Sequence, residues 1–158
     1  MHNKKFTEYQ SITEHTTWKI FNRTRNSIYR VRELELAQFG LTVEQSMILS
    51  LLINRGRSAT PKMIEEYTMR QYNSISALIN RMIKMNLVAK RKNPKSKKTE
   101  ILITRYGETQ YNKVPIHSLE MVFSSLKEKD RERLFSYLDK ILKKARDLLG
   151  LTSTQFSR

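Results

Sequence analysis

The spacing of apolar residues predicts two helices in the first third of the chain. From about Thr13 to Gln38, apolar side chains recur at roughly helical spacing with no intervening Gly or Pro, which predicts one long helix. Gly40 is expected to end this helix in left-handed backbone geometry. Thr42 and Gln45 then match a capping box, so a second helix is predicted from there to about Arg55.

Two shorter helices are predicted next, and the second of them has the clearest pattern in the chain. Thr60 followed by Pro61 is typical of a helix start. The fourth helix, for which Asn73 is the expected N-cap, carries a single apolar stripe made of Ile75, Leu78, Ile79, Met82 and Ile83. Its opposite face carries short polar groups and a few cations, so one side of this helix is expected to face solvent or a partner.

The spacing changes to a β pattern after this helix. Segments Leu87–Arg91 and Thr99–Ile103 are predicted strands of a hairpin whose tip, 92–98, is basic. Thr104 is expected to cap a further helix that bends near Pro115, because proline lacks an amide donor. A last helix is predicted from about Lys129 to Leu149. The predicted fold class is mainly α with a small β-hairpin wing, which is the pattern of a winged helix-turn-helix.

The charge of the chain points to a polyanionic partner. Among 158 residues, 30 are Lys or Arg and 15 are Asp or Glu, which gives a net charge of +15. From Tyr67 to Lys98 there are nine basic residues and no acidic one, whereas Ser118 to Gly150 mixes eight basic with six acidic residues. The total alone fits nucleic acid or an anionic membrane surface. The concentration of basic residues on the fourth helix and the hairpin favours a binding surface on these two elements.

Several other classes of protein are not indicated by the sequence. There is no cysteine, and His2, His15 and His117 lack the spacing of a metal site. No phosphate-binding loop or nucleophile–base signature occurs, so we expect no cofactor, no metal and no enzymatic activity. No apolar run is long enough to span a bilayer, and the N-terminus lacks the apolar core of a signal peptide. We therefore expect a cytoplasmic protein with no membrane partner.

The order of the basic elements suits double-stranded DNA. An α-helix fits the major groove, where short polar side chains reach base edges, and a lysine-rich hairpin tip can follow the backbone into the adjacent minor groove. The predicted contacts near the fourth helix are Arg70, Tyr72, Asn73, Ser74, Ser76, Ala77, Asn80 and Arg81. Those on the hairpin are Arg91, Lys92, Lys95, Lys97 and Lys98. The alternatives are an ordinary amphipathic helix beside a solvated lysine loop, and a Tyr72 ring that packs inward.

Four segments in this order resemble the MarR family of transcriptional regulators. They are Gly40-Leu41-Thr42-Val43-Glu44-Gln45, Ser74-Ile75-Ser76, Arg81-Met82-Ile83-Lys84-Met85-Asn86-Leu87-Val88 and Leu102-Ile103-Thr104-Arg105-Tyr106-Gly107. The resemblance spans about residues 14 to 149, and the segment from Arg70 to Ser76 resembles the turn of members linked to reductive dehalogenase genes. One departure lies in the wing, where the family often carries an Asp before an Arg-Arg pair and this chain has Ser96, Lys97 and Lys98.

The resemblance implies a homodimer with intertwined first and last helices, a pseudo-palindromic operator and, in many members, a small-molecule effector pocket. Trp18 and His117 are the candidates for that pocket, although a solvated or capping His117 is the alternative. The wide apolar stripe of the last helix, together with Trp18, Phe21 and Ile28 on the first, also predicts a dimer unless these helices cover one another within a monomer.

The expected organisation follows from these elements. Residues 13–40 and 105–150 form the dimerisation helices, 41–104 the winged helix-turn-helix, and 1–12 and 151–158 flexible termini. The function that the sequence favours is a dimeric DNA-binding regulator, a repressor released by a small molecule. The competing hypothesis is a non-specific architectural nucleic-acid-binding protein, for which the net charge alone would suffice.

Overall fold

Seven helices and three short strands occur in residues 11–151, the part of the chain that the computed structural model describes. Most of the two predicted flexible termini, and with them His2, lie outside the described residues. The elements are α1 (Glu14–Ala37), α2 (Val43–Asn54), β1 (Ser58–Ala59), α3 (Pro61–Thr68), α4 (Tyr72–Lys84), β2 (Val88–Lys92), β3 (Thr99–Ile103), α5 (Arg105–Lys113), α6 (His117–Phe123) and α7 (Glu128–Leu148). The predicted fold class, mainly helical with a β-hairpin wing, is confirmed.

The capping box at the start of α2 is confirmed atom by atom. The backbone N–H of Thr42 donates to Oε1 of Gln45 at 2.9 Å, and the backbone N–H of Gln45 donates to Oγ1 of Thr42 at 3.2 Å. Gly40 has a φ of 69°. At the end of α1, the backbone N–H of Leu41 donates a hydrogen bond to the carbonyl of Leu36 at 3.2 Å. Left-handed glycine geometry therefore turns the chain sharply from α1 into α2.

The core lies between α2, α3, α4 and the sheet. Ile48, Leu49 and Leu52 of α2 are fully buried. Four members of the predicted α4 stripe, Ile75, Leu78, Ile79 and Met82, are buried in the same cluster, and the fifth, Ile83, is partly buried and packs against it. Because this stripe anchors one side of α4 in the core, the opposite side of the helix is held outward in a fixed orientation.

The hairpin belongs to a three-stranded antiparallel sheet with the order β1-β3-β2. Strand β1 pairs Ser58 with Leu102 and Ala59 with Ile101, which joins the hairpin to the segment between α2 and α3. In the hairpin itself, Val88 pairs with Ile103 and Lys92 with Thr99. The wing is thus fixed to the core at its base and projects at its tip.

Two predicted details are wrong. The N-cap of α4 is Gln71, and Asn73 lies inside the first helical turn. Met69 takes left-handed geometry with a φ of 55°, so α3 ends there and α4 begins sooner than Asn73 suggested. The helix near Pro115 is not bent but interrupted, because Val114, the residue before the proline, is extended as its steric contact with the ring requires.

Polar contacts join α1 to the segment around α6, and α7 to α3. Glu35 of α1 accepts hydrogen bonds from the backbone N–H of Ser118 at 3.0 Å and from its hydroxyl, and Arg32 donates to the carbonyl of Pro115 at 2.6 Å. Arg146 of α7 is 4% exposed and donates to the carbonyl of Glu66, in α3, at 3.3 Å. No helix in residues 11–151 is long and apolar enough to cross a membrane.

Candidate functional site

The exposed side of α4 presents the residues predicted to reach base edges. Its exposed members are Tyr72, Asn73, Ser74, Ala77, Asn80 and Arg81, and Ser76 beside them is half-buried. Tyr72 is 59% exposed, so the ring does not pack inward. The surface is a row of short polar groups with one arginine at its C-terminal end, which is the character that close approach to a major groove requires.

The tip of the wing is a closed turn that carries exposed lysines. Oδ1 of Asn93 accepts the backbone N–H groups of Lys95 at 2.9 Å and Ser96 at 3.1 Å, and the N–H of Asn93 donates to the carbonyl of Lys98 at 2.8 Å. Lys92, Lys95, Lys97 and Lys98 are all exposed around it. An Asx turn therefore holds the backbone that presents these cations.

Arg91, a predicted DNA contact, is paired across the hairpin. Its Nη2 atom lies 3.2 Å from Oε2 of Glu100, and Nδ2 of Asn93 donates to Oε1 of the same carboxylate at 2.6 Å. Hydrogen bonds from Asn93 and Arg91 hold the pKa of Glu100 below its usual range. Sequence reasoning missed Glu100, which stands just beyond the acid-free stretch; the strand register that pairs it with Arg91 is the signal that identifies it.

Arg70, the other predicted contact with a carboxylate partner, is bound to Glu44 of α2. Its Nη2 atom lies 2.6 Å from Oε1 of Glu44, and the hydroxyl of Tyr29 on α1 donates to the same oxygen. The three residues are far apart in the sequence, so no local pattern indicated the contact. The turn before α4 is thus linked through one carboxylate to the first helix.

A largely apolar cavity of about 760 Å³ lies between α1, α2, α5, α6, α7 and the end of α3. Its polar lining includes the phenols of Tyr29, Tyr67, Tyr111 and Tyr137 and the cations Arg25 and Arg32, and no lining residue is acidic. Burial raises the pKa of Tyr67 above its usual value, so its hydroxyl stays protonated. Such a lining suits an aromatic or aliphatic molecule that accepts hydrogen bonds.

The residues proposed for an effector pocket do not line this cavity in the described chain. Trp18 is 59% exposed, with its ring centroid 6.4 Å from that of Phe21, because one step along a helix turns the side chain by about 100° from the cavity-lining Thr17. The His117 side chain is also exposed, with Nδ1 3.9 Å from Oε2 of Glu120. The preceding Ile116 lines the cavity in its place.

A second apolar surface covers the outer helices. Large side chains of α1, α6 and α7 are exposed, among them Leu34, Met121, Phe135, Ile141, Leu148 and Leu149. Exposed apolar residues scattered singly are ordinary, but a set along neighbouring helices marks an interaction surface. Within residues 11–151, no group of three or more acidic or histidine side chains is placed to hold a metal ion.

The sequence model of the MarR family matches residues 39–98, the segment that contains α2, α3, α4 and most of the wing. No curated protein is detectably similar to the chain in sequence. The resemblance to this family that the four sequence segments indicated is confirmed by this match together with the structural similarities that follow.

Solved structures share the fold over most of the chain. The organohalide-sensing transcriptional regulator RdhR-CbdbA1625, in its ligand-free form, has a TM-score of 0.77 and 23% identity, covering 95% of this chain and 97% of that one. AbsC, a MarR family transcriptional regulator from Streptomyces coelicolor, has a TM-score of 0.75 and 22% identity, covering 88% and 99%. A MarR mutant from E. coli in complex with operator DNA has a TM-score of 0.70 and 16% identity, covering 78% and 91%.

Proposed function

We propose that this chain, whose residues 39–98 match the sequence model of the MarR family, is a transcriptional regulator that binds double-stranded DNA as a homodimer. The observation that carries the proposal is the pairing of an exposed polar face on α4 with an exposed lysine tip on the wing. One of these elements suits the major groove and the other the neighbouring phosphate backbone and minor groove. Asn80 and Arg81 are assigned to base edges, and Lys95, Lys97 and Lys98 to phosphates.

The dimer is supported by the exposed apolar surface of α1, α6 and α7. A second copy that covers this surface would remove side chains such as Phe135 and Leu148 from water. Residues 13–40 and 105–150 are therefore assigned to dimerisation and 41–104 to DNA binding. Two copies present two recognition helices, which suits a pseudo-palindromic operator with half-sites about one helical turn apart.

A small-molecule effector is supported by the cavity beside this surface. The form of RdhR-CbdbA1625 solved with 2,4-dichlorophenol has a TM-score of 0.77 to this chain at 22% identity. We assign the cavity of this chain to an aromatic molecule whose hydroxyl or carboxylate meets the phenols and arginines of the lining. The regulator acts as a repressor that such a molecule releases.

Selection of bound duplexes from a random library tests the DNA-binding part of the proposal. A regulator enriches one two-fold symmetric sequence and keeps a preference of at least about a thousandfold over random duplex. A non-specific architectural protein, which the charge of +15 would also permit, enriches none and binds all duplexes alike. Both lose affinity steeply with salt, so sequence preference at one fixed salt concentration is the deciding measurement.

A further inference from the structure

A single carboxylate oxygen receives donors from two separate elements, α1 and the turn between α3 and α4. Oε1 of Glu44 accepts the hydroxyl of Tyr29 and lies 2.6 Å from Nη2 of Arg70. Tyr29 is on α1, Glu44 is in the first turn of α2, and Arg70 is in the turn between α3 and α4. The oxygen therefore connects one of the cavity-lining helices with the segment that leads into the recognition helix.

Tyr29 is the cavity end of this connection. The residue lines the cavity, and the guanidinium of Arg25 lies 5.9 Å from the centre of its ring. Burial and the hydrogen bond to Glu44 raise the pKa of Tyr29 to about 12. The phenol is thus a hydrogen-bond donor at neutral pH, and a molecule in the cavity that offers it another acceptor competes with Glu44.

Arg70 is the DNA end. It stands two residues before α4, in the acid-free stretch, and its side chain is 43% exposed. While Arg70 is paired with Glu44, the carboxylate offsets much of its attraction for a phosphate. Burial alone would raise the pKa of Glu44, but the hydrogen bond from Tyr29 and the charge of Arg70 lower it, so the carboxylate stays ionised.

We propose that Glu44 is a positioning residue that couples the cavity to DNA binding by dividing one oxygen between Tyr29 and Arg70. The proposal rests on the proposed regulator function and assigns the route by which an effector acts. When a ligand takes up the Tyr29 hydroxyl, Oε1 loses one donor and its charge-assisted bond to Arg70 strengthens. Arg70 is then withdrawn from phosphate, and the affinity for DNA falls.

A ligand-free mutant cycle tests the coupling directly. Glu44→Gln removes the charge that holds Arg70, so DNA binding should tighten about two- to fivefold. The salt slope, which is the slope of the logarithm of the DNA-binding constant against the logarithm of the salt concentration, should steepen by up to about 0.9. Tyr29→Phe removes the tyrosine hydroxyl, so Oε1 of Glu44 interacts with Arg70 alone. DNA binding should therefore weaken by a similar factor. In an Arg70→Gln background both changes should have no effect on the dissociation constant.

Controls separate coupling from a general loss of structure. Tyr106→Phe removes the hydroxyl of an exposed tyrosine on α5 that does not line the cavity, and it should leave the affinity for DNA unchanged. The unfolding temperature of every variant reports folding, and the salt slope reports a phosphate contact that a merely structural role would not move. Weaker DNA binding by Glu44→Gln, or an effect of Tyr29→Phe that persists in the Arg70→Gln background, would overturn the proposal.

A second experiment tests the effect of a ligand, with 2,4-dichlorophenol as the probe, because a similar solved structure contains this compound. Calorimetry first measures its binding to the chain and to Glu44→Gln. A bound probe should weaken DNA binding of the chain at least about twofold and leave that of Glu44→Gln unaffected, and equal responses would overturn the coupling. If the probe does not bind, the effector part of the proposed function fails for this compound. The mutant cycle still decides the role of Glu44, because it needs no ligand and can be measured on the selected duplex or on random duplex.

Discussion

Gly107 lies directly against the backbone of Leu87. A Cβ atom at position 107 would stand 2.0 Å from the carbonyl oxygen of Leu87, a distance that no real side chain tolerates. The first turn of α5 therefore packs on the start of the wing only because position 107 has no side chain. This contact joins the helix that follows the winged region to the residue that leads from α4 into β2.

Gly107→Ala should destabilise the fold, although alanine is ordinarily more favourable than glycine within a helix. The added methyl meets backbone rather than a movable side chain, so α5 must shift away, at a cost of about 3 kcal/mol or more. Gly56→Ala is the matched control, because its φ of 70° carries a strain of about 1–2 kcal/mol but its Cβ would meet nothing within 4 Å. Thermal unfolding measures both, and equal losses would contradict the close contact.

Glu35→Gln should reduce stability at neutral pH and have little effect in acid. Burial would raise the pKa of Glu35, but hydrogen bonds from Ser118 and from Arg32 hold it below the ordinary 4.5. A lowered folded-state pKa stabilises the folded chain above the unfolded value, and that stabilisation is lost as the pH falls through the folded value. The difference in unfolding free energy should be about 1–3 kcal/mol at neutral pH and shrink below pH 4.5. The exposed Glu33→Gln serves as the control, with a smaller effect expected at every pH.

Asn80→Ala should change which base pair is preferred at one position of the selected sequence. An asparagine amide pairs with an adenine edge through two hydrogen bonds, so discrimination there should fall by about 1–3 kcal/mol. Competition with single-base variants of the selected duplex gives the measurement. Lys84→Ala, at the end of the same helix, should weaken binding to all variants equally; a uniform loss with Asn80→Ala as well would remove Asn80 from the base contacts.

Lys97→Ala should weaken binding to every duplex and lower the salt slope by about 0.9, because one phosphate contact is lost. Lys129→Ala on α7 removes the same charge outside the acid-free stretch and should leave the slope unchanged. Binding isotherms over a range of salt concentrations distinguish the two. An unchanged slope for Lys97→Ala would show that the wing tip does not reach the backbone.

Phe135→Glu should give monomers without unfolding the chain. Phe135 is 62% exposed, so a charge there costs little in the isolated subunit but is desolvated in a dimer that covers α7. Ser136→Glu, one position along the same helix, is the control and should leave the association constant much closer to that of the parent chain. Sedimentation equilibrium measures association, and a dimeric Phe135→Glu would place the subunit contact elsewhere.

Local sequence patterns predicted the helices and the hairpin, but not the tertiary contacts between them. The capping box of Thr42 and the start at Thr60-Pro61 depend on neighbours within one turn, so the sequence alone located them. Strand β1 was missed because two residues carry no periodicity, and the strand is defined by its pairing with the distant residues Ile101 and Leu102. The N-cap of α4 was misplaced because the left-handed turn at Met69, which sets the start, has no glycine to mark it.

In the candidate site, too, some features follow from local sequence and others depend on tertiary packing. Exposure of Asn80 and Lys97 follows from the helical stripe and the hairpin pattern, and both lie where the sequence indicated. Trp18 was proposed for the pocket that the family resemblance implies, but which side of a helix faces a cavity depends on how α6 and α7 pack against it. Likewise Glu44, which binds Arg70, enters only through a tertiary contact, whereas Glu100, which binds Arg91, follows from the register of the hairpin.

The Asn93 turn has a thermodynamic consequence for the wing. Since four hydrogen bonds of Asn93 already close the loop between β2 and β3, the backbone there has little conformational entropy left to lose in the proposed contact with a phosphate. Only the lysine side chains become ordered on contact, and encounter needs no prior rearrangement of the loop. For the proposed DNA complex, we therefore expect Asn93 to favour fast association, although its own side chain need not touch a nucleotide.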